Sequence, residues 1–188
     1  TLEQKFGLVL TLNPCGYMDL YPEYEWAREE NEFLFDLIKK RALGAVWITP
    51  RIPKAQELMQ KVKELADYPI LIFTDAENGL GDYTIGKHNA VGRTDSEELA
   101  YIFGKVTAIT ARKMGYTVVC NPLLDMGNTG SERWLGHDKD RVTALAAAEA
   151  QGLHDGGVLT VGKHYPGGNN VNGTDSHMAE SISDWTEQ

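Results

Sequence analysis

At 188 residues the chain is long enough for one domain with a sizeable core, and its 42% hydrophobic and 24% charged content is that of an ordinary globular protein. A formal net charge of −9 argues against nucleic acid or an anionic membrane surface as the main partner, because both demand basic patches. No apolar run approaches the roughly 18 residues that a membrane-spanning helix needs. Cys15 and Cys120 sit in separate apolar segments without metal-ligand spacing, so both are expected to be reduced and structural. The chain starts at Thr1 rather than Met, so its native start is expected to have been removed, along with any signal peptide.

In chain order, Thr1-Leu2-Glu3-Gln4 has the form of a capping box that opens a helix. The apolar stretch 6–12 either finishes that turn or forms a first strand, and 13–24 is a loop rich in Gly, Pro and Tyr. Residues 25–41 place Trp26, Phe33, Leu34, Leu37 and Ile38 at helical spacing, and the basic end Lys39-Lys40-Arg41 suits the helix dipole. A strand over 44–49 is stopped by Pro50, and 53–66 is an amphipathic helix with Leu58, Val62 and Leu65 on one face. Residues 69–74 form a near-continuous apolar strand that ends at Asp75-Ala76-Glu77. Thr94-Asp95-Ser96-Glu97 reads as a second capping box, opening a helix that runs to about Met114 and is stopped by Gly115. A strand over 116–120 ends at Asn121-Pro122. An Ala-rich helix over 138–154 is closed by Gly156-Gly157, and 158–161 is the next strand. Linkers, low-complexity segments and short-period repeats are absent from the sequence.

Strands that alternate with helices predict a parallel sheet covered by helices on its outer side. The polar candidates directly follow strands: Asp75, Asn121 and the Lys163-His164 pair. That is the rim where parallel α/β folds and barrels place their chemistry. The β-branched run at 158–161 delivers a cation and an imidazole, and Pro166, Gly167, Gly168 and Gly173 then form a loop without period. At its end Asp175 and His177 stand two residues apart, close enough for a carboxylate to orient and charge-stabilise an imidazole. His88 falls in a polar loop with no assigned role. His137 and His154 read as helix-end residues, Asp125 as a turn-holding side chain, and Trp26 and Trp47 as packing residues. Trp134, beside Arg133, reads either as packing or as a sugar platform. A closed barrel takes eight strands and typically about 250 residues, so the chain is either an open doubly wound sheet or part of a barrel.

At these residues the sequence resembles the N-terminal domain of glycoside hydrolase family 3, particularly its β-N-acetylglucosaminidase branch. The resemblance rests on six segments in the family's order: the opening 1–7; 69–81 with Thr74-Asp75-Ala76-Glu77-Asn78-Gly79; Asn121-Pro122-Leu123-Leu124-Asp125-Met126; Ser131-Glu132-Arg133-Trp134-Leu135-Gly136-His137-Asp138; Gly162-Lys163-His164-Tyr165-Pro166-Gly167; and Asp175-Ser176-His177. It implies an α/β fold of TIM-barrel type, present as its N-terminal part with about five of the eight strands, and residues 1–188 as one piece of a single domain. It further implies that Asp75, Arg133, Lys163 and His164 hold the hydroxyls of the sugar at the cleaved linkage, with His177 as general acid/base and Asp175 orienting it. No cofactor and no metal is implied. An imidazole, with an ordinary pKa of about 6.5, can both give and take a proton at neutral pH. The sequence departs from the branch in continuing Gly168-Asn169-Asn170 after Pro166-Gly167, and in a loop to Asp175 about one residue longer. The family's aspartate nucleophile lies well downstream of the His loop, so Ser183-Asp184-Trp185 is not assigned that role and the nucleophile is expected to be missing from this segment.

The expectation is therefore a retaining β-glycosidase, most simply an exo-acting β-N-acetylglucosaminidase, with a neutral carbohydrate as partner and neither nucleic acid nor membrane. The alternatives are a β-glucosidase-type member of the family, a metal-dependent hydrolase using His164, Asp175, His177 and Glu77, and a non-catalytic sugar-binding half-barrel. Half a barrel exposes strand edges, so self-association or pairing with the remainder of the chain is expected. Relatives that recycle cell-wall fragments are often cytoplasmic and others are exported; the cytoplasm is the first expectation.

Overall fold

The computed structural model describes residues 1–14, 25–50, 55–77, 79–80, 87–126 and 133–165. The chain folds as two compact units, one of residues 1–75 with 110–119, the other of 76–109 with 120–188.

The first unit opens with helix α1 (Leu2–Gly7). The capping box is present in full: the Thr1 hydroxyl accepts from the Gln4 amide, and the Gln4 side chain accepts from the Thr1 amino group at 2.9 Å. Strand β1 (Thr11–Leu12) follows, so the apolar stretch 6–12 serves both purposes, turn and strand. Helix α2 (Glu25–Lys39) packs beside α3 (Ala55–Leu65). Of the face marked by the sequence spacing α2 buries Leu34 and Ile38, whereas Phe33 is exposed; α3 buries Val62 together with Met59, which the spacing did not mark, and half-buries Leu58 and Leu65. Strands β2 (Ala45–Trp47), β3 (Leu71–Thr74) and β4 (Val118–Val119) complete the expected set. β1 pairs with β2, β2 with β3 and β3 with β4, always in parallel, in the register Val46–Ile72 and Phe73–Val118. Trp47 stacks on Phe73 at 6.2 Å between ring centroids, a packing role as expected. Asp75 closes this unit directly after β3 and is half-buried.

The second unit contains helix α4 (His88–Thr94), most of α5 (Glu97–Met114), α6 (Lys139–Asp155) and strand β5 (Leu159–Thr160). Its core gathers Val91, Ala100, Phe103, Leu135, Val142, Leu145 and Ala146. The structure corrects the sequence here in one respect. Thr94 does not cap α5; it ends α4, its hydroxyl donating to the Val91 carbonyl at 2.7 Å, and Asp95 turns the chain at φ 50°. The cap of α5 is Ser96, whose hydroxyl accepts from the Leu99 amide at 3.3 Å. Two caps with the same spacing rule stood two residues apart, and the chain used the second. Gly115, at φ 109°, closes α5 with the Tyr116 amide donating to the Ala111 carbonyl, the helix stop that was expected. Asp138 caps α6 by accepting from the amides of Asp140 and Arg141. Cys120 is buried, and Cys15 lies outside the described residues.

α5 and α6 cross at glycines. A Cβ on Gly104 would collide with the Glu149 carbonyl oxygen, and one on Gly152 with the Tyr101 carbonyl oxygen. Both neighbours are helix backbone and cannot swing away, so the two helices lie closer than any side chain at these positions would permit. Gly152→Ala is expected to cost about 1–3 kcal/mol by overpacking. Urea unfolding should show a lowered midpoint with an unchanged slope; an unaltered midpoint would mean that the crossing can relax.

Candidate active site

Glu77 anchors the site. Its carboxylate receives Nε and Nη2 of Arg133 on its two oxygens, at 2.7 and 2.8 Å, and Nζ of Lys163 at 2.5 Å. The fork of the guanidinium matches the carboxylate in two parallel bonds, which fixes orientation as well as charge. Burial alone would raise the Glu77 carboxyl. The bonds from Arg133 and Lys163, with their charges, outweigh burial and bring its pKa from 4.5 down to about 2. Glu77 is therefore an anion at any working pH, an anchor for two cations rather than a proton donor.

His164 joins the same cluster. Its Nδ1 lies 2.6 Å from an Asp125 carboxylate oxygen and its Nε2 lies 3.3 Å from Nη2 of Arg133. A guanidinium can only donate, so Nε2 accepts and the ring proton sits on Nδ1, donated to Asp125. Backbone pairing sets up this contact. The Lys163 amide donates to the Pro122 carbonyl at 3.0 Å, and the Leu124 amide donates to the Lys163 carbonyl at 2.5 Å, which brings the segment after β5 alongside Asp125. The Asn121–Pro122 and Lys163–His164 peptide bonds are both cis. Arg133 and His164 each keep 36% of their side chain exposed, while Lys163 and Glu77 keep 15% and Asp125 only 3%. The arrangement thus has a solvent-facing layer that a ligand can touch and a buried acidic layer that holds it.

Of the expected site residues, Arg133, Lys163 and His164 come together. Asp75 stands two positions before Glu77 in the chain, in the other unit. Asp175 and His177 lie outside the described residues, as does Asp184. Asp125 does more than hold a turn, because it orients His164. Glu77, read from sequence only as a possible metal ligand, is the hub; a distant ion pair leaves no local signature. Trp134 rests against His137 at 4.8 Å between centroids, with the Arg93 guanidinium 5.8 Å from its ring. His137 is thus held by a ring contact, whereas His154 occupies the last turn of α6 as expected, 3.6 Å from Asp155.

A second polar group, which the sequence did not reveal, lies behind the first. His88 is fully buried at the start of α4, not in a polar loop. Its Nδ1 donates to the Glu77 carbonyl at 2.9 Å, and its Nε2 meets Oε1 of Glu149 at 3.0 Å. Asn121 completes the group: its Nδ2 lies 3.2 Å from both His88 Nε2 and Glu149 Oε1 and 3.4 Å from the Ala76 carbonyl. Burial would lower the His88 pKa, but the Glu149 carboxylate and the Glu77 carbonyl together raise it above its usual value. The one available signal was Glu149 itself, a carboxylate in the middle of an Ala run on a helix otherwise sorted by polarity.

The model of the glycosyl hydrolase family 3 N-terminal domain matches residues 16–188. The chain belongs to glycosyl hydrolase family 3. A β-hexosaminidase of Chromobacterium violaceum is 30% identical over 147 residues, covering 68% of this chain and 40% of that protein. Among solved structures, a family 3 β-N-acetylglucosaminidase from a Paenibacillus species superposes with a TM-score of 0.73 at 22% identity, over 89% of this chain and 33% of that one. A fungal multi-domain β-N-acetylglucosaminidase of the family superposes with a TM-score of 0.77 at 24% identity, over 95% of this chain and 22% of that one. The family 3 chain therefore has an α/β fold of TIM-barrel type, with five of its strands among the described residues. It spans less than half the length of the curated relatives it matches.

The Glu77 anchor has a pH signature. A carboxyl held at about 2 in the folded protein, against an ordinary 4.5, adds stability that is complete above pH 4.5 and is lost as pH falls toward 2. Allowing for solvent at its edge, the contribution at neutral pH is about 2 kcal/mol. Glu77→Gln should be destabilised by about that amount at pH 7, the gap to wild type closing between about pH 4.5 and 2 in urea unfolding. A gap that stays constant across that range would show that the carboxylate contributes no charge-dependent stability.

Proposed function

We propose that the full-length protein is a retaining β-glycoside hydrolase, most specifically an exo-acting β-N-acetylglucosaminidase. The observation that carries this reading is the convergence of Arg133, Lys163 and His164 over Glu77 and Asp125. Two cations are offset by two carboxylates, and His164 adopts its neutral tautomer. Such a site presents directional donors with little net charge, which suits the hydroxyls of an uncharged sugar. It also explains why an acidic protein needs no basic surface to meet its substrate.

In this reading Asp75 accepts from paired sugar hydroxyls while Arg133 and Lys163 donate to sugar oxygens. His177, supported by Asp175, protonates the departing glycosidic oxygen and later takes a proton from the attacking water. We assign the nucleophile to none of residues 1–188. A divalent-metal hydrolase is the weaker alternative on physical grounds, since an ion bound to Glu77 and His164 would sit against the Arg133 and Lys163 cations.

The test is hydrolysis of an aryl β-N-acetylglucosaminide and an aryl β-glucoside by the full-length protein and its His177→Ala variant. The N-acetyl substrate should be preferred, and its kcat should fall about a hundredfold or more in the variant. Glucoside activity that survives the substitution would move the protein to the β-glucosidase type. Activity on neither substrate would leave a sugar-binding domain without catalysis. Arg133→Ala should raise KM about tenfold or more, because it removes donors present in ground and transition state alike. An unchanged KM would take Arg133 out of the binding site.

A further inference from the structure

Glu77 is used at both ends. Its carboxylate gathers Arg133 and Lys163, while its backbone carbonyl accepts from Nδ1 of His88. The position of the carboxylate therefore depends on where the His88 bond holds the Glu77 backbone. We infer that His88 and Glu149 are positioning residues for sugar binding: Glu149 fixes the ring, the ring fixes Glu77, and Glu77 fixes the Arg133–Lys163 cradle. The inference rests on the sugar-binding reading given above.

The geometry supports each link. A carbonyl can only accept, so Nδ1 of His88 carries a proton and points at Glu77. A carboxylate at Nε2 favours a proton there too, so both ring nitrogens donate and the ring cannot rotate without losing two bonds. Phe103 packs edge-on against the ring at 5.3 Å between centroids and 75° between planes, blocking the remaining freedom. The glycine crossing of α5 and α6 lets Glu149 reach this depth, because the Glu149 carbonyl lies against Gly104. The charged and polar groups that face the ring are Glu149, Asn121 and the Glu77 backbone. Stability alone does not account for such a pair. With the His88 and Glu149 side chains both 0% exposed, the desolvation of two ions cancels much of their attraction, and apolar residues of similar volume are often as stable. What apolar residues cannot supply is a directed donor to the Glu77 carbonyl.

Two double variants of the full-length protein separate positioning from packing. His88→Leu with Glu149→Leu removes both charges together, leaving no lone buried ion, and loses the donor. His88→Asn with Glu149→Leu restores one donor near the Nδ1 position. Loss of one such bond should raise KM for the aryl β-N-acetylglucosaminide about tenfold with kcat within about threefold of wild type, and the Asn variant should return KM to within about threefold. Equal KM values in the two double variants would overturn the inference. Should neither fold, Glu149→Gln carries the test: a KM raised about threefold with kcat kept supports the inference, and an unchanged KM overturns it. A wild type that hydrolyses no glycoside would refute the function and leave the positioning role open to a second readout. That readout is solvent exchange of the Arg133 Nε–H by NMR. It should be about tenfold faster in the Leu double variant and restored in the Asn one; equal rates in both would refute the positioning role independently of activity.

Discussion

A single carboxylate shared by two cations governs this site. Arg133 and Lys163, both bonded to Glu77, would repel each other without it, the more so because Lys163 is largely withdrawn from water. Glu77 turns that repulsion into a fixed triangle. The arginine takes both oxygens in parallel bonds and so cannot swivel, while the lysine, a point charge on a flexible stem, adapts to the oxygen it is offered. Arg133, a third exposed, is left oriented toward whatever approaches from solvent, while Lys163 and Glu77 are both largely withdrawn from water.

That triangle draws on three parts of the chain. Glu77 comes directly after the β3 segment, Arg133 from the turn ahead of α6, and Lys163 from the segment after β5. The ladder between 122–124 and 163 sets the last of these to within a hydrogen bond and, in the same stroke, brings His164 onto Asp125. His164 then accepts from Arg133, so the aspartate steadies the arginine through the imidazole as the glutamate does directly. Arg133 is thereby held from two sides by groups that arrive on different segments.

Much of this organisation was legible in the sequence where the cause is local. Most of each helix face follows from spacing, the start of α1 from its capping box, the end of α6 from Gly156-Gly157, and the stop of α5 from a glycine at positive φ. The Lys163-His164 pair stood out because a β-branched strand ended in a cation and an imidazole. Reading failed where the decisive partner is far away in sequence. Thr94 and Ser96 both satisfy the local capping rule, and between them the αL turn at Asp95 is held by Arg141 of α6, 46 residues on. Missing α4 had a similar cause: its short sequence has a glycine and one strongly apolar residue, and it forms because His88 is anchored from α6 and from Glu77. Glu77 and Glu149 are ordinary glutamates until the fold supplies their cations.

The two polar layers differ in what they can do for the protein. In the outer layer Arg133 and His164 are a third exposed, so their mutual contacts are screened and add little to folding. The inner layer, His88 with Glu149, is dry, and there desolvation offsets most of the Coulomb gain. Beyond the charge-dependent share that Glu77 adds, neither layer is an efficient way to stabilise a barrel segment whose apolar core already lies between α5 and α6. Their common property is direction: each bond leads outward from a rigid helix crossing, through His88 and the Glu77 backbone, to donors at the surface. In the proposed function, such costly groups in series, with the exposed end nearly balanced in charge, serve to hold an uncharged polar ligand in one orientation.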